Sequence, residues 1–315
     1  MQIKRICVLG GTGFVGRHLV TRLANNGYHI KVLTRHSQKH RDISILPGIE
    51  IAEADIKTPG MLLENFFGYD AVINLVGILY ERSGQQFRSI HVDLPRNILE
   101  ACRTVGIKRL LHMSALRASA NQGPSRYLFS KGEGEQLVMQ AKNPGVTCFK
   151  PSVIFAPDDK FYNRFANVLK TMPIFPIVCP DAKFAPVYVG NVVHAFEIAL
   201  ERETTIGKSY ELCGPHIYTL REIIEDIIRM LDLKRPIISL PDKLSLLQAK
   251  ILEKFKIFTT DNYLSLQIDS ICACDGLKEL GITPYSVNGI MSMYFSGKKT
   301  QKMRYDRLRT IARRD

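Results

Sequence analysis

Residues 9–16 read Leu-Gly-Gly-Thr-Gly-Phe-Val-Gly and stand between a short apolar run and a stretch with helical spacing, Phe14–Asn25. Gly10, Gly13 and Gly16 recur at every third position. The first glycine permits a tight turn, the second lets the backbone approach a pyrophosphate, and the third lets a helix pack closely on a strand. The free N–H groups at the start of such a helix attract phosphate. The stretch therefore predicts a strand–turn–helix unit that binds a dinucleotide.

Outside this unit, apolar runs alternate with helical stretches. The expected strands of the first half are Arg5–Leu9, Ile30–Thr34, Ile49–Ala52, Ala71–Leu75, Arg109–Met113 and Val146–Lys150. The expected helices of that half are Phe14–Asn25, Phe87–Val105 and Leu128–Lys142. Strands that alternate with helices of about 10–15 residues predict an α/β fold with a doubly wound parallel Rossmann sheet.

The second half is less regular because prolines punctuate it. The expected helices are Asn191–Arg202, Leu220–Leu231 and Lys243–Phe258, and the expected short strands are Ser209–Leu212 and Ile237–Leu240.

This change of pattern divides the chain. We expect residues 1–155 to form the Rossmann domain, with residues 187–215 returning to it. A smaller, mostly helical C-terminal region for substrate or partner should comprise residues 156–186 and 216–296. Residues 297–315 should form a basic tail.

The composition is that of a soluble globular protein: 315 residues, 45% hydrophobic and 23% charged. The net charge is +13, and the tail, residues 297–315, holds eight Lys or Arg against two Asp. The opening residues do not have the pattern of a secretory signal, so none is expected, and no apolar run of about 18 residues that would span a bilayer is found. We therefore expect a cytoplasmic protein, with a peripheral position on the cytoplasmic face of the inner membrane as the alternative.

The chain has seven cysteines. Their odd number and their apolar surroundings predict reduced, buried thiols rather than a disulfide framework. Cys272 and Cys274 form a C-x-C pair without a second pair at metal-site spacing, so we expect no metal site.

The end of the second expected strand indicates which dinucleotide binds. An NAD enzyme usually carries an acidic residue there to hold the ribose 2′-OH. Here Arg35 follows the strand, Lys39 comes four residues later, and no carboxylate is at hand. Two cations favour a 2′-phosphate, so we expect NADP(H) rather than NAD(H); a solvated basic loop is the alternative. Asp55, after the third strand, is expected either to contact adenine or to cap the next turn.

Three further motifs accompany the glycines. Residues 74–77 (Asn-Leu-Val-Gly) follow the fourth strand, Tyr127 and Lys131 form a Y-x-x-x-K motif, and residues 150–155 (Lys-Pro-Ser-Val-Ile-Phe) follow the sixth strand. Together these motifs resemble the short-chain dehydrogenase/reductase superfamily in its extended or atypical branch.

One atypical group is a closer match. Residues 150–166 and 186–192 resemble the group that contains the NAD(P)H-binding accessory subunit of respiratory complex I and its stand-alone bacterial relatives. The likeness runs from Ile3 to about Tyr294 and leaves out the basic tail.

The Y-x-x-x-K spacing has a physical reason. Residues four apart share one helix face, so the Lys131 ammonium should lie near the Tyr127 phenol, lower its pKa and make it an acid/base at neutral pH. The resemblance implies that this lysine also holds the nicotinamide ribose and that a serine after the fifth strand binds the substrate carbonyl. Ser114 is the candidate, but Ala115 is the alternative occupant of that position. His91 is expected either to line the cofactor pocket or to make a local hydrogen bond.

The expected site combines these residues. The catalytic residues are Tyr127, Lys131 and Ser114. The cofactor-binding residues are Gly10, Thr12, Gly13, Phe14, Val15, Gly16, Arg35, Lys39, Asp55, Ile56, Leu75, Val76, Gly77, His91, Met113, Lys131, Pro151 and Val153.

Three functions fit these expectations. The first is an NADP(H)-dependent oxidoreductase or epimerase-like enzyme that uses Tyr127 and Lys131. The second, implied by the resemblance, is a non-catalytic NADPH-binding accessory subunit or assembly factor of respiratory complex I. The third is a regulator that senses NADP(H).

The C-terminal third suggests a partner. Residues 243–258 place apolar side chains at three- and four-residue spacing beside lysines, as in a basic amphipathic helix. Together with the tail, this favours docking on an anionic membrane or a respiratory complex. An ordinary surface helix is the alternative. No nucleic-acid module is recognised, so no nucleic-acid partner is expected.

Overall fold

The structure, a computed structural model, describes residues 3–81, 86–239 and 260–291. The amphipathic helix expected at residues 243–258 and the basic tail, residues 297–315, lie outside the described residues.

The strands and helices alternate along the first half of the chain. The strands are β1 (Arg5–Leu9), β2 (His29–Thr34), β3 (Ile49–Glu53), β4 (Ala71–Asn74), β5 (Arg109–Met113), β6 (Gly145–Pro151), β7 (Ile154–Phe155), β8 (Phe175–Ile177), β9 (Lys183–Phe184), β10 (Val187–Tyr188), β11 (Lys208–Leu212), β12 (Tyr218–Thr219) and β13 (Ile237–Ser239). The α-helices are α1 (Phe14–Asn25), α2 (Arg41–Ser44), α3 (Pro59–Phe66), α4 (Leu94–Val105), α5 (Arg126–Met139), α6 (Phe161–Thr171), α7 (Val189–Glu201), α8 (Leu220–Leu231), α9 (Thr260–Ser265) and α10 (Gly276–Glu279). A π-helical turn, Ser89–Asp93, leads into α4.

Seven strands form one parallel sheet in the order β11-β6-β5-β4-β1-β2-β3. The expected doubly wound Rossmann sheet is therefore confirmed. The chain leaves β1 towards β2 on one side and later returns to β4 on the other side. Ligands of such sheets bind at this reversal, beyond the carboxyl ends of the strands.

Side chains of the central strands alternate between two apolar layers. Ile6 and Val8 of β1 pack with α1 and α7, whereas Cys7 and Leu9 pack with α3 and α4 on the opposite face. Every residue of β4 is buried. Burial on both faces explains why these strands read as continuous apolar runs rather than as an alternation of polar and apolar residues.

A smaller cluster lies beyond the sheet, where α6 and α8 pack together around Tyr162, Leu169 and Ile224. Three short strand pairs, β7–β10, β8–β13 and β9–β12, complete this region. The described part of the chain has no helix that is both long and apolar enough to cross a membrane. It also holds no group of three or more His, Cys, Asp or Glu side chains arranged for a metal ion.

Residues 260–275, which we call the bracing segment, tie this region to the sheet. Ser152, just past β6, donates its hydroxyl to the carbonyl of Ser270 over 2.8 Å. Arg117 donates to the carbonyls of Asp269 and Ile271. The bracing segment thus crosses the carboxyl edge of the sheet.

A disulfide joins Cys213, just past β11, to Cys272 of the bracing segment. The expectation of reduced thiols throughout was therefore wrong for this pair, although Cys7, Cys102 and Cys148 are buried free thiols as expected. The two bonded cysteines lie 59 residues apart in sequence, and only the fold brings them together.

Several elements differ from the sequence expectations. The helix expected from Phe87 starts as the π-helical turn, and α3 and α6 were not predicted. Proline at the first helical position of α3 and aromatic residues in α6 obscure their helical spacing.

Candidate functional site

The glycine turn has the geometry that the sequence predicts. Gly10 adopts a positive φ of 79°, which an L side chain rarely tolerates, and its carbonyl accepts from the N–H of Gly13 over 3.0 Å. A Cβ on Gly16 would overlap the Gly10 carbonyl oxygen and the backbone of Gly11. The third glycine therefore lets α1 pack directly on the turn.

The start of α1 is open to an anion. Gly13 stands at the N-cap, no side chain caps the helix, and its first turn holds no acidic residue. Thr12 is partly exposed and Gly13 is exposed. Free backbone N–H groups and the helix dipole there fit a pyrophosphate. Phe14 and Val15 form the first turn of α1, where Val15 is buried.

A second loop lies against the glycine turn. The N–H of Leu75 donates to the carbonyl of Leu9, and a Cβ on Gly10 would lie 3.1 Å from backbone atoms of Leu75 and Val76. Asn74, buried at the end of β4, accepts from the N–H of Val76. Its amide nitrogen also lies 3.1 Å from Nδ1 of buried His112. The contact between Asn74 and His112 therefore holds in place the asparagine that anchors the loop after β4.

The loop after β2 carries the two expected cations. Arg35 and Lys39 are exposed, and neither side chain has a hydrogen-bond or ion-pair partner among the described residues. The expectation that no carboxylate lies nearby was wrong, because β3 brings Glu53 to this loop. Glu53 accepts from the N–H and hydroxyl of Ser37, and these bonds lower the pKa of Glu53.

Asp55 caps the next turn, one of its two expected roles, by accepting from the N–H of Lys57 over 3.1 Å. Ile56 packs on the apolar layer of α3 and α4. At the other end of the site, buried Pro151 accepts from the N–H of Leu116, and Val153 accepts from the N–H of Val187.

Lys131 lies in a buried corner beside the second loop. Its Nζ donates to the carbonyl of Met113 over 2.7 Å, and its side chain is shielded from solvent. A Cβ on Gly77 would lie 3.6 Å from this Nζ and 3.7 Å from Nε2 of His91. Burial lowers the pKa of Lys131 to about 8.

Tyr127 lies one helical turn before Lys131, half-buried against two aromatic rings. Its ring meets His91 edge-on at 5.6 Å and Phe87 at 6.1 Å. The expectation that Lys131 lowers the pKa of this tyrosine was wrong. Burial, followed by the charge of Asp261, raises the pKa of Tyr127 to about 12, because both disfavour the phenolate.

His91 is held by local hydrogen bonds, one of its two expected roles. Its Nε2 accepts from the N–H of Ile78 and its Nδ1 lies 2.9 Å from the hydroxyl of Ser130. Burial and the charge of Lys131 lower the pKa of His91 to about 2, so the ring stays neutral. His91 therefore joins the loop beside Gly77 to helix α5.

Ser114 is buried, and its hydroxyl donates to Glu135 over 2.7 Å. Glu135 also pairs with Lys150 at 3.4 Å. The hydroxyl of Ser114 thus has an acceptor inside the chain. Ala115, the alternative occupant of the serine position, is buried and supplies no hydroxyl.

Sequence reasoning missed the residues that hold Tyr127. Asp261 of the bracing segment accepts from the N–H groups of Arg126 and Tyr127, over 2.7 and 3.1 Å. Ser265 donates to Ser125, the N-cap of α5, over 2.8 Å. Since these partners lie more than a hundred residues apart in sequence, no local pattern reveals them.

Comparison with known proteins gives a family and several relatives. The model of the NAD dependent epimerase/dehydratase family matches residues 6–213. The mitochondrial NADH-ubiquinone oxidoreductase 40 kDa subunit of Neurospora crassa is 26% identical over 93% of this chain and 79% of its own length. NADH dehydrogenase (ubiquinone) 1 alpha subcomplex subunit 9 of Mus musculus is 30% identical over 88% of this chain and 76% of its own. A ceramide reductase of Caulobacter vibrioides is 29% identical over 75% and 74%.

Solved structures share the fold. UDP-glucose 4-epimerase of Thermotoga maritima superposes with a TM-score of 0.73 at 16% identity, covering 94% of this chain and 99% of that one. A double mutant of dTDP-glucose 4,6-dehydratase from Streptomyces venezuelae, solved with NAD, gives 0.72 at 19% identity, covering 93% and 96%. At these identities the likeness concerns the fold alone.

Proposed function

The chain belongs to the NAD dependent epimerase/dehydratase family, and from this premise we propose that it is an NADP(H)-dependent oxidoreductase with Tyr127 as its acid/base. The observation that carries the proposal is a pair of unsatisfied polar groups in one corner of the site. Lys131 is a buried cation that makes a single hydrogen bond and no ion pair with the described residues. The hydroxyl of Tyr127 forms no hydrogen bond with any of the described residues.

A buried cation without an acceptor for its remaining N–H groups is costly, so a ligand that supplies acceptors is favoured there. The two hydroxyls of a nicotinamide ribose are such acceptors. Gly77 supports this proposal because a side chain there would begin 3.6 Å from Nζ of Lys131, so glycine keeps the space beside the ammonium free of side-chain atoms. The glycine turn would hold the pyrophosphate on the same edge of the sheet.

The charge of the loop after β2 favours the phosphorylated cofactor. Arg35 and Lys39 have no described partner, while the nearby carboxylate of Glu53 is engaged by Ser37. Free cations beside the glycine turn suit a 2′-phosphate, whereas the ribose 2′-OH of NAD calls for a free carboxylate. Arg35→Asp should therefore weaken NADPH far more than NADH; equal weakening of both would exclude this role.

When bound, the nicotinamide supplies hydride chemistry. The raised pKa of Tyr127 keeps its phenol protonated at neutral pH, so it is poised to donate a proton to a substrate oxygen. Lys131 would orient the ribose and stabilise negative charge that develops on the phenol oxygen. Because reduction of a carbonyl needs a proton for the substrate oxygen, a protonated Tyr127 suits the reductive direction of the reaction.

The decisive experiment removes one oxygen atom. Wild-type protein is screened for NADPH oxidation with a panel of aldehydes and ketones, and Tyr127→Phe is then compared with it. We expect NADPH binding to persist while kcat/KM falls at least about 100-fold. Tyr28→Phe is the matched control. Tyr28 lies just before β2, and its hydroxyl donates to Glu201 at the end of α7, away from this corner. Unchanged turnover in Tyr127→Phe would remove the assignment.

A second function is favoured by the relatives and by Ser114. Two of the relatives are named as mitochondrial subunits, one of an NADH-ubiquinone oxidoreductase and one of an NADH dehydrogenase (ubiquinone). The Ser114 hydroxyl already donates its hydrogen bond to Glu135. Both observations suit a non-catalytic NADPH-binding accessory subunit or assembly factor, peripheral on the membrane that holds the respiratory complex. It predicts co-purification with that complex and bound NADPH that is not consumed. Brisk NADPH oxidation by the isolated chain would exclude it.

A further inference from the structure

Arg17, on the second turn of α1, joins the two elements that flank the adenosine end of the site. Its Nε donates to the carbonyl of Thr12 in the glycine turn over 3.2 Å. Its Nη2 lies 3.1 Å from Nδ1 of His40, and its Nη1 pairs with Asp42. One guanidinium thus spans from the dinucleotide turn to the loop after β2. The sequence expectations included no residue in this position.

In a doubly wound sheet, the glycine turn and the end of the second strand lie on either side of the adenosine ribose. Arg35 and Lys39 belong to the loop that Arg17 contacts. A group bound between Thr12 and this loop would therefore meet Arg17 directly. A guanidinium that contacts the loop carrying Arg35 and Lys39 adds a third cation to that side of the site, and several cations suit a phosphate more than a hydroxyl.

We propose that Arg17 is a specificity-determining residue that binds the 2′-phosphate of NADP(H), and that Asp42 is the carboxylate which this phosphate displaces. This inference rests on the cofactor part of the proposed function. Arg17 is about one-third exposed and Asp42 more than half, so their ion pair is weak and readily exchanged. A phosphate offers more charge and more acceptor oxygens than a carboxylate, so it competes well for a guanidinium.

His40 supports the orientation of the guanidinium. Burial and the charge of Arg17 lower the pKa of His40, so the ring is neutral at physiological pH and Nδ1 can accept from Nη2. With Thr12 and His40 accepting on two sides, the guanidinium stays in place when its contact with Asp42 is given up.

A purely structural role for Arg17 makes a different prediction. If Arg17 serves only to fix the loop through Asp42, removing either partner loosens the loop and weakens NADPH. If Arg17 binds the phosphate, Asp42 competes with the ligand, and removing the two partners has opposite effects. The sign of the Asp42 effect therefore separates the two roles.

The experiment titrates the full chain with NADPH and with NADH, followed by nicotinamide fluorescence; the chain contains no tryptophan to interfere. Arg17→Gln should raise the NADPH Kd at least about tenfold and leave the NADH Kd nearly unchanged. Asp42→Asn should lower the NADPH Kd about threefold without changing that of NADH. Arg22→Gln is the control: it removes the same charge from the same helix, but Arg22 pairs with Glu197 and not with the site.

Several other results would overturn the assignment of Arg17 to the 2′-phosphate. Weaker NADPH binding in both Arg17→Gln and Asp42→Asn, or equal loss of both cofactors in Arg17→Gln, overturns the inference in favour of a structural role. An Arg22→Gln effect as large as that of Arg17→Gln also overturns it, because net charge alone would then suffice. If Arg35→Asp changes cofactor preference and Arg17→Gln does not, this inference fails while the proposed function stands. If the wild type does not distinguish NADPH from NADH, both fail.

Discussion

The glycine turn and the corner around Tyr127 lie on the same edge of the sheet but are built in opposite ways. The turn consists of eight consecutive residues, 9–16, and its geometry depends on the backbone and on missing side chains. The corner is assembled from groups on the loop after β4, the end of β5, the π-helical turn, α5 and the bracing segment. The hydrogen bonds from Asp261 that hold the start of α5 in this corner join residues more than a hundred positions apart.

This difference determines which of the two sites can be predicted from the sequence. A backbone site needs glycine at fixed spacing, so composition and position suffice to predict it. A side-chain site needs partners at fixed distances, and those distances are set by the whole fold. The glycine turn should therefore respond to local changes only, while the corner should respond to changes far from it.

The largest expected effect comes from the distant end of the bracing segment. Cys272→Ser removes the disulfide with Cys213, which closes a loop of 59 residues. The loss of loop constraint in the unfolded chain predicts a fall of about 4 kcal/mol in the free energy of unfolding. Urea unfolding under non-reducing conditions measures it.

Two comparisons make this test specific. Cys274→Ser changes an exposed free thiol two residues away and should leave stability unchanged. Wild type in dithiothreitol should unfold like Cys272→Ser. Equal stability of Cys272→Ser and Cys274→Ser would mean that the bracing segment is held without the disulfide.

The next effect tests the glycine turn. In Gly16→Val the new side chain meets the Gly10 carbonyl and the Gly11 backbone, neither of which can yield without moving α1. We expect a loss of roughly 3 kcal/mol in stability together with loss of dinucleotide binding, measured by thermal unfolding and NADPH titration. Gly60→Ala, at the start of α3 with open space around it, should bind normally. Normal binding by Gly16→Val would show that the turn tolerates a side chain.

The same contrast explains which elements and contacts could be predicted from the sequence. The bounds of α1, β5 and α8 agree with those expected, because apolar spacing and flanking glycines are local signals. The tight turn at Gly10 and the close helix packing at Gly16 were confirmed for the same reason, while the pyrophosphate contact at Gly13 stays a prediction. The contact of Asp261 with Tyr127 and the raised pKa of that tyrosine were not predicted, since both depend on burial that only the tertiary structure creates.

The pH dependence of stability should differ between the two regions, because residues 9–16 contain no titratable side chain whereas the corner buries two neutral histidines. Burial lowers the pKa of His91 to about 2 and that of His112 to about 3. The unfolded chain binds protons below pH 6.5 and the folded chain does not, so stability is complete above pH 6.5 and falls below it. Each histidine should contribute a slope of about 1.4 kcal/mol per pH unit between pH 6 and 4.

Urea unfolding at several pH values checks this slope. His91→Gln should reduce it by the contribution of one histidine, and His36→Gln, which changes an exposed side chain, should leave it as in wild type. A pH-independent stability in this range would mean that the corner admits water and that its histidines titrate freely.

The smallest expected effect lies at the contact between the bracing segment and Tyr127. Asp261→Asn keeps one acceptor oxygen but loses the charge and one of two bonds at the start of α5, which predicts a loss of about 1 kcal/mol. The carboxylate raises the pKa of Tyr127, so its removal should shift the tyrosine-dependent limb of the pH–rate profile to lower pH. Asp275→Ala, which removes the side-chain cap of α10, should cost similar stability without that shift. An unshifted profile in Asp261→Asn would mean that the bracing segment holds the helix but does not tune the tyrosine, and the two sites would then be more alike than their construction suggests.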